Sequence, residues 1–82
     1  MKFNIVERTS LKDGSLRILL ELQQSDLIYM GFILESFEGW CIYTTPRKKE
    51  PFLQLDIPHD FITNVEELLS YLKTWDHKAI TA

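Results

Sequence analysis

The chain has 82 residues, 45% of them hydrophobic and 26% charged, with a formal net charge of −3. This size fits one domain spanning 1–82, and the balance of apolar and charged residues excludes a disordered chain. The negative balance argues against a general nucleic-acid binder, whose affinity comes largely from neutralising phosphates. The longest apolar run, Leu27 to Leu34 with Gly31 inside it, falls far short of the roughly 20 residues that cross a bilayer. The opening MKFNIVERT meets charges too early for a signal peptide. A single cysteine, Cys41, has no mate for an internal disulfide. Together these features predict a small cytoplasmic protein with no membrane association.

In chain order, residues 2–8 (KFNIVER) predict a weak strand, and Lys12-Asp13-Gly14 a hairpin turn in which glycine accepts positive φ. Residues 15–23 alternate, with Leu16, Ile18, Leu20 and Leu22 on one side, and predict a strand broken in pattern only by Leu19. Ser25 is an N-cap candidate for a helix that stops near Glu38-Gly39. Residues 40–45 (WCIYTT) predict a third strand, the proline-bracketed segment 46–51 a polar hairpin loop, and residues 52–57 (FLQLDI) a fourth strand ended by Pro58. A last helix runs to about residue 75, starting at Asp60 or, by the capping box Thr63-Asn64-Val65-Glu66, one turn later. Residues 77–82 form a short tail.

The order ββαββα contains five of the six elements of a ferredoxin-like βαββαβ fold. The first strand takes the place of the missing sixth, joined by a hairpin to the strand beside which that one would lie. The prediction is an α+β two-layer sandwich, a circularly permuted ferredoxin-like domain. Its four-stranded antiparallel sheet runs first, second, fourth, third, with both helices on one face.

The two helices differ. Val65, Leu68, Leu69, Leu72 and Trp75 give the second one apolar side and a polar remainder. The first places Leu27, Met30, Ile33, Leu34 and Phe37 on one side, yet Ile28, Tyr29 and Phe32 lie outside it. A helix that is apolar on more than one side is usually buried on more than one side. The strand 40–45, placed at a sheet edge with no charge or proline, is a second surface that needs cover. Both needs are met by a homodimer with Ile28, Tyr29, Phe32, Trp40 and Ile42 at its interface.

Chemistry-bearing groups are sparse. Cys41 reads as a small packed hydrophobe, with no neighbouring base implied to lower its pKa. His59 and Asp60, with Asp56 and Asp76-His77, lack any familiar ligand spacing, so neither a metal nor another cofactor is expected. Glu35 and Glu38 share a helix side without forming an evident acid–base pair, and only three glycines are present, none in a phosphate loop. No catalytic residue emerges, and the chain reads as a non-enzyme. Arg47-Lys48-Lys49, with Tyr43 and Trp40 preceding it, is the one cluster suited to an RNA-binding sheet, a reading the overall charge disfavours.

From Asp26 to Lys73, and above all in FILESFEGWCIYTT and LQLDIPHDFITNVEELLSYL, the chain resembles a family of small bacterial proteins known as a domain of unknown function. The resemblance rests on Phe32-Ile33-Leu34-Glu35, Phe37, Glu38-Gly39 and Thr45. It implies an ACT-like or ferredoxin-like fold and transfers no catalytic residue. A shared small-molecule site, where present, would involve Glu35, Gly39 and Thr45. By that analogy the chain is a self-associating regulatory or ligand-binding module. The alternatives are an RNA-binding module and a structural subunit of a larger complex.

Overall fold

The computed structural model describes residues 1–37, 39–46 and 50–74. The chain runs β1 (Phe3–Ser10), β2 (Leu16–Leu22), α1 (Gln24–Glu35), β3 (Ile42–Thr44), β4 (Phe52–Ile57), a 3₁₀ turn (His59–Phe61) and α2 (Ile62–Thr74). The strands form one sheet in the order β1-β2-β4-β3 with every neighbouring pair antiparallel. The molecule is therefore α+β, a four-stranded antiparallel sheet with two helices.

Alternation in β2 and β4 builds the core. Leu16, Ile18 and Leu20 stand opposite Ile57, Leu55 and Leu53, and all six are buried. Met30 and Leu34 of α1 and Val65, Leu69 and Leu72 of α2 complete the same core. The opposite sheet face carries Arg17, Leu19, Gln54 and Asp56, where the Arg17 Nε donates to Asp56 Oδ1 at 2.7 Å.

β1 reads weakly because it is bulged. Ile5 stands opposite Leu20 and Glu7 opposite Leu19, which leaves Val6 as an extra residue. The bulge shifts the alternation by one. Phe3 and Ile5 precede it on the core side, Val6 is more than half exposed, and Arg8, opposite Ile18, reaches Glu66 of α2 in an ion pair. The loop between β1 and β2 closes as the Asp-Gly signal implies. Gly14 has φ of 89°, and Asp13 Oδ1 accepts from the Ser15 N–H at 2.9 Å and its hydroxyl at 2.6 Å. Those bonds hold the Asp13 carboxyl below the usual carboxylate range.

Several element ends differ from the sequence reading. Helix α1 begins at Gln24, with Gln23 in the cap position and no side-chain cap bond, so Ser25 lies inside the first turn. The reason is local: β2 ends at Leu22, and the Asp26 N–H already closes on the Gln23 carbonyl at 2.9 Å. The helix ends at Glu35, where the Ser36 hydroxyl folds back onto the Phe32 carbonyl. Of the two starts the sequence offers for α2, the earlier fits: the Phe61 N–H bonds to the Pro58 carbonyl and starts the winding in a 3₁₀ turn ahead of the Thr63 capping box. Strand β3 is only Ile42–Thr44, which leaves Trp40, Cys41 and Thr45 outside it. Glu38, Arg47-Lys48-Lys49, Trp75, Asp76-His77 and the predicted tail lie outside the described residues.

Candidate functional site: the α1–β3 flank

The most built feature away from the core is the contact between α1 and the edge strand. Tyr43 stands opposite Leu55 and so points toward the helices, whereas Ile42 and Thr44, opposite Asp56 and Gln54, point to the other face. The Tyr43 ring lies against Gly31. A Cβ added at Gly31 would sit 3.2 Å from the Tyr43 hydroxyl oxygen and 3.4 Å from its Cε2. This close approach explains a glycine in mid-helix, a choice that costs roughly 1 kcal/mol against alanine. One turn on, Glu35 accepts a short hydrogen bond from the Tyr43 hydroxyl. The carboxylate raises the phenol pKa, assisted by desolvation.

This contact fixes which flank of α1 faces the sheet edge. On a helix, residues three, four and seven apart lie on one side. Ile28 therefore borders Gly31 and Glu35, and Phe32 follows Ile28 one turn later. Ile28 is 71% exposed and Phe32 64%. The row Gln24-Ile28-Phe32-Ser36 carries no charge. Ile42 of β3 is also 70% exposed, but on the sheet face away from the helices. Tyr29, also partly exposed, lies about 100° around the helix from Ile28, away from that flank.

Trp40 is engaged within the chain. It stacks on Phe37 at 4.5 Å and on Phe61 at 6.4 Å, and it is half-buried. The signal for this role was the aromatic spacing 37, 40 and 61, which only tertiary contact assembles. Of the residues considered for an RNA-binding sheet, Trp40 thus stacks in a cluster beside the core and Tyr43 faces the helices.

Gly39 adopts φ of 87°, which gives a conformational reason for glycine there, and nothing lies within 4 Å of a Cβ placed on it. Thr45 is exposed just past β3. Of the three residues singled out for a ligand, Glu35 is the one with a described side-chain bond, and that bond is to Tyr43.

Cys41 is half-buried, and burial first, then Asp56, raises its thiol pKa, which disfavours the thiolate. His59 Nδ1 and Asp60 Oδ1 are 3.5 Å apart and largely exposed. Among the described residues no three His, Cys, Asp or Glu side chains converge as metal ligands, and no helix is long and apolar enough to cross a membrane. A groove of about 550 Å³ opens at the far end of the sheet between Lys2, Glu21, Gln23, Pro51 and Lys73. None of the residues singled out from the sequence lines it.

Compared with protein-family models, with curated proteins and with solved structures, the chain has no significant match.

Proposed function

We propose that this chain is a non-enzymatic cytoplasmic module of ferredoxin-like, ACT-like architecture that works as a self-associated pair in a regulatory or small-molecule-binding role. One observation carries the reading. Ile28 and Phe32 are 71% and 64% exposed on the side of α1 away from Met30 and Leu34, while the buried side of the same helix already serves the core. Helix α2 supports the contrast: Val65, Leu69 and Leu72 are buried and, of its large apolar residues, only Tyr71 is mostly exposed.

Magnitudes bound the strength of association. Full burial contributes about 1.5–3 kcal/mol per large apolar side chain. Scaled by their exposed fractions, Ile28 and Phe32 supply about 1–2 kcal/mol each, so four side chains in a symmetric pair supply about 4–8 kcal/mol. The loss of translational and rotational freedom costs about 4–15 kcal/mol. The helix row alone therefore gives at best a weak pair, one that forms and dissociates with concentration. Such a pair suits regulation.

The ligand-binding part of the reading rests on the family resemblance at Glu35, Gly39 and Thr45. A carboxylate at Glu35 suits a ligand that offers hydrogen-bond donors or positive charge. The raised thiol pKa of Cys41 supports a role without nucleophilic chemistry.

Sedimentation equilibrium of the full chain across micromolar concentrations tests the pair. The expected result is an average mass that rises above 9.7 kDa as concentration increases. A constant monomer mass overturns the proposal. Co-purification of a different subunit with such a monomer would make the chain a structural partner in a larger complex.

A further inference from the structure

We infer that strand β1 and helix α2 form a docking groove for an extended peptide segment of another protein. The segment adds as an antiparallel strand outside β1 and carries an apolar residue followed two positions later by an acidic one. This surface lies at the opposite edge of the sheet from β3, so the inference stands apart from the self-association proposed above.

Strand β1 is an outer strand, and its outward backbone groups have no strand partner among the described residues. Helix α2 runs alongside it in the reverse sense. Arg8 pairs with Glu66 in the first half of the helix, and near its end the Lys73 ammonium lies 5.5 Å from the centre of the Phe3 ring. Between these two links opens a cavity of about 250 Å³, with Ile5 and Arg8 on one wall and Glu66, Leu69 and Ser70 on the other. Phe3 and Lys73 line both this cavity and the groove of about 550 Å³ beyond it, so the two form one channel beside the strand. An unpaired edge next to such a channel suits strand addition, in which main-chain hydrogen bonds give affinity and pockets for alternate side chains give specificity.

The bulge at Val6 interrupts the edge, and the Arg8–Glu66 ion pair closes the channel just past it. The added strand therefore pairs with the stretch before the bulge. There Phe3 and Ile5 stand opposite the buried Leu22 and Leu20, on the helix side. Ile5 is 37% exposed and offers an apolar seat. An antiparallel partner, the commoner and slightly more stable sense, presents alternate side chains about 6.7 Å apart on that side. One enters the small cavity beside Ile5, and the one two positions later falls beside Phe3, within reach of Lys73.

Charge selects the second residue. Lys2 and Lys73 line the wider groove with Glu21 as the acid among them, and neither lysine has an ion pair among the described residues. This end of the channel is positive on a chain whose net charge is −3. An acidic side chain opposite Phe3 meets the Lys73 ammonium, which its seat on the ring already orients. A basic residue there is repelled.

Selection from a phage-displayed library of random octapeptides, held between constant flanks so that no free carboxylate is presented, tests the groove with the full chain as bait. The parent should enrich an apolar residue, any residue, then Asp or Glu, and Lys73→Glu should exchange that acid for Lys or Arg. A selected peptide with blocked ends, followed by fluorescence polarisation, should lose about ten-fold in affinity on Lys73→Glu. Ser70→Trp fills the cavity from an exposed helix position and should lose binding, whereas Thr44→Trp on the far edge should keep it. Circular dichroism verifies the fold of each variant, and the Lys73→Glu exchange decides alone where Ser70→Trp does not fold. No enriched consensus, an acid that survives Lys73→Glu, or binding lost with Thr44→Trp and kept with Ser70→Trp overturns the proposal.

Discussion

Replacing Phe32 with alanine isolates the contribution of the apolar row. Its ring is 64% exposed in the single chain, so burial by a second copy removes about two-thirds of a side chain whose full transfer yields about 1.5–3 kcal/mol. The effect is about 1–2 kcal/mol per copy, and two-fold symmetry doubles it to about 2–4 kcal/mol. At 1.4 kcal/mol per factor of ten, the dissociation constant should rise about 30- to 700-fold. The monomer itself should be unharmed, since alanine is the better helix former and an exposed substitution shifts stability by no more than about 0.5 kcal/mol. Sedimentation velocity across a dilution series reads the dissociation constant, and far-UV circular dichroism verifies the fold. A dissociation constant changed less than two-fold, with the fold intact, would refute the placement of Phe32 at the centre of the contact.

Three further outcomes follow from the α1–β3 contact and its surroundings. Gly31→Ala adds about 1 kcal/mol of helix propensity but crowds the Tyr43 hydroxyl at 3.2 Å. Urea unfolding at fixed protein concentration should therefore show little net change in the parent and a stabilisation of about 0.5–1 kcal/mol in a Tyr43→Phe background. Identical effects in the two backgrounds would contradict the contact. The Tyr43 phenol has a folded pKa raised above the ordinary 10.0, first by Glu35. Its contribution to stability is thus fully present below pH 10 and lost as pH rises through the folded value. Tyr43→Phe should abolish that alkaline loss in a pH series of melting temperatures, and an unchanged alkaline limb would count against the bond. Cys41, its thiol pKa raised by burial, should react with a disulfide reagent at mildly alkaline pH more slowly than in the urea-unfolded chain. Equal rates would show the thiol to be open.

Much of the fold was legible because β4 and α2 obey their periods and β2 departs from its own only at Leu19. Leu16, Ile18, Leu20 and Leu22 alternate, Leu53, Leu55 and Ile57 answer them across the sheet, and Val65, Leu69 and Leu72 return at helical spacing. The weak places have physical causes. The bulge at Val6 inverts the alternation of β1 halfway along, so Ile5 and Glu7, two residues apart, stand on different faces, opposite Leu20 and Leu19, which no single-strand pattern reveals. The start of α1 was misplaced at Ser25 because the turn began directly after β2, ahead of the favoured cap residue, and of the two starts offered for α2 the earlier, near Asp60, fits the 3₁₀ turn that follows Pro58.

The candidate site was legible only in part. The surplus of apolar residues on α1 is visible in composition, and Ile28, Phe32 and Ile42 are exposed. Trp40 stood among the same candidates, and its stack between Phe37 and Phe61 depends on a residue more than twenty positions away. Gly31 offered a signal that was available and unused: a glycine in the middle of an apolar helix marks a close approach. Its partner, Tyr43, was identifiable only once the register of β3 on β4 set the ring toward the helices.

The central claim is that the outer row of α1 is covered by a second copy of the same chain. Isotope-filtered nuclear Overhauser spectroscopy on an equal mixture of ¹³C-labelled and unlabelled protein reads such contacts directly. Cross-peaks between copies should join the Phe32 ring to the Ile28 or Phe32 side chain of the other copy. A sample shown by sedimentation to be paired, yet with no such cross-peak at Ile28 or Phe32, would contradict the account.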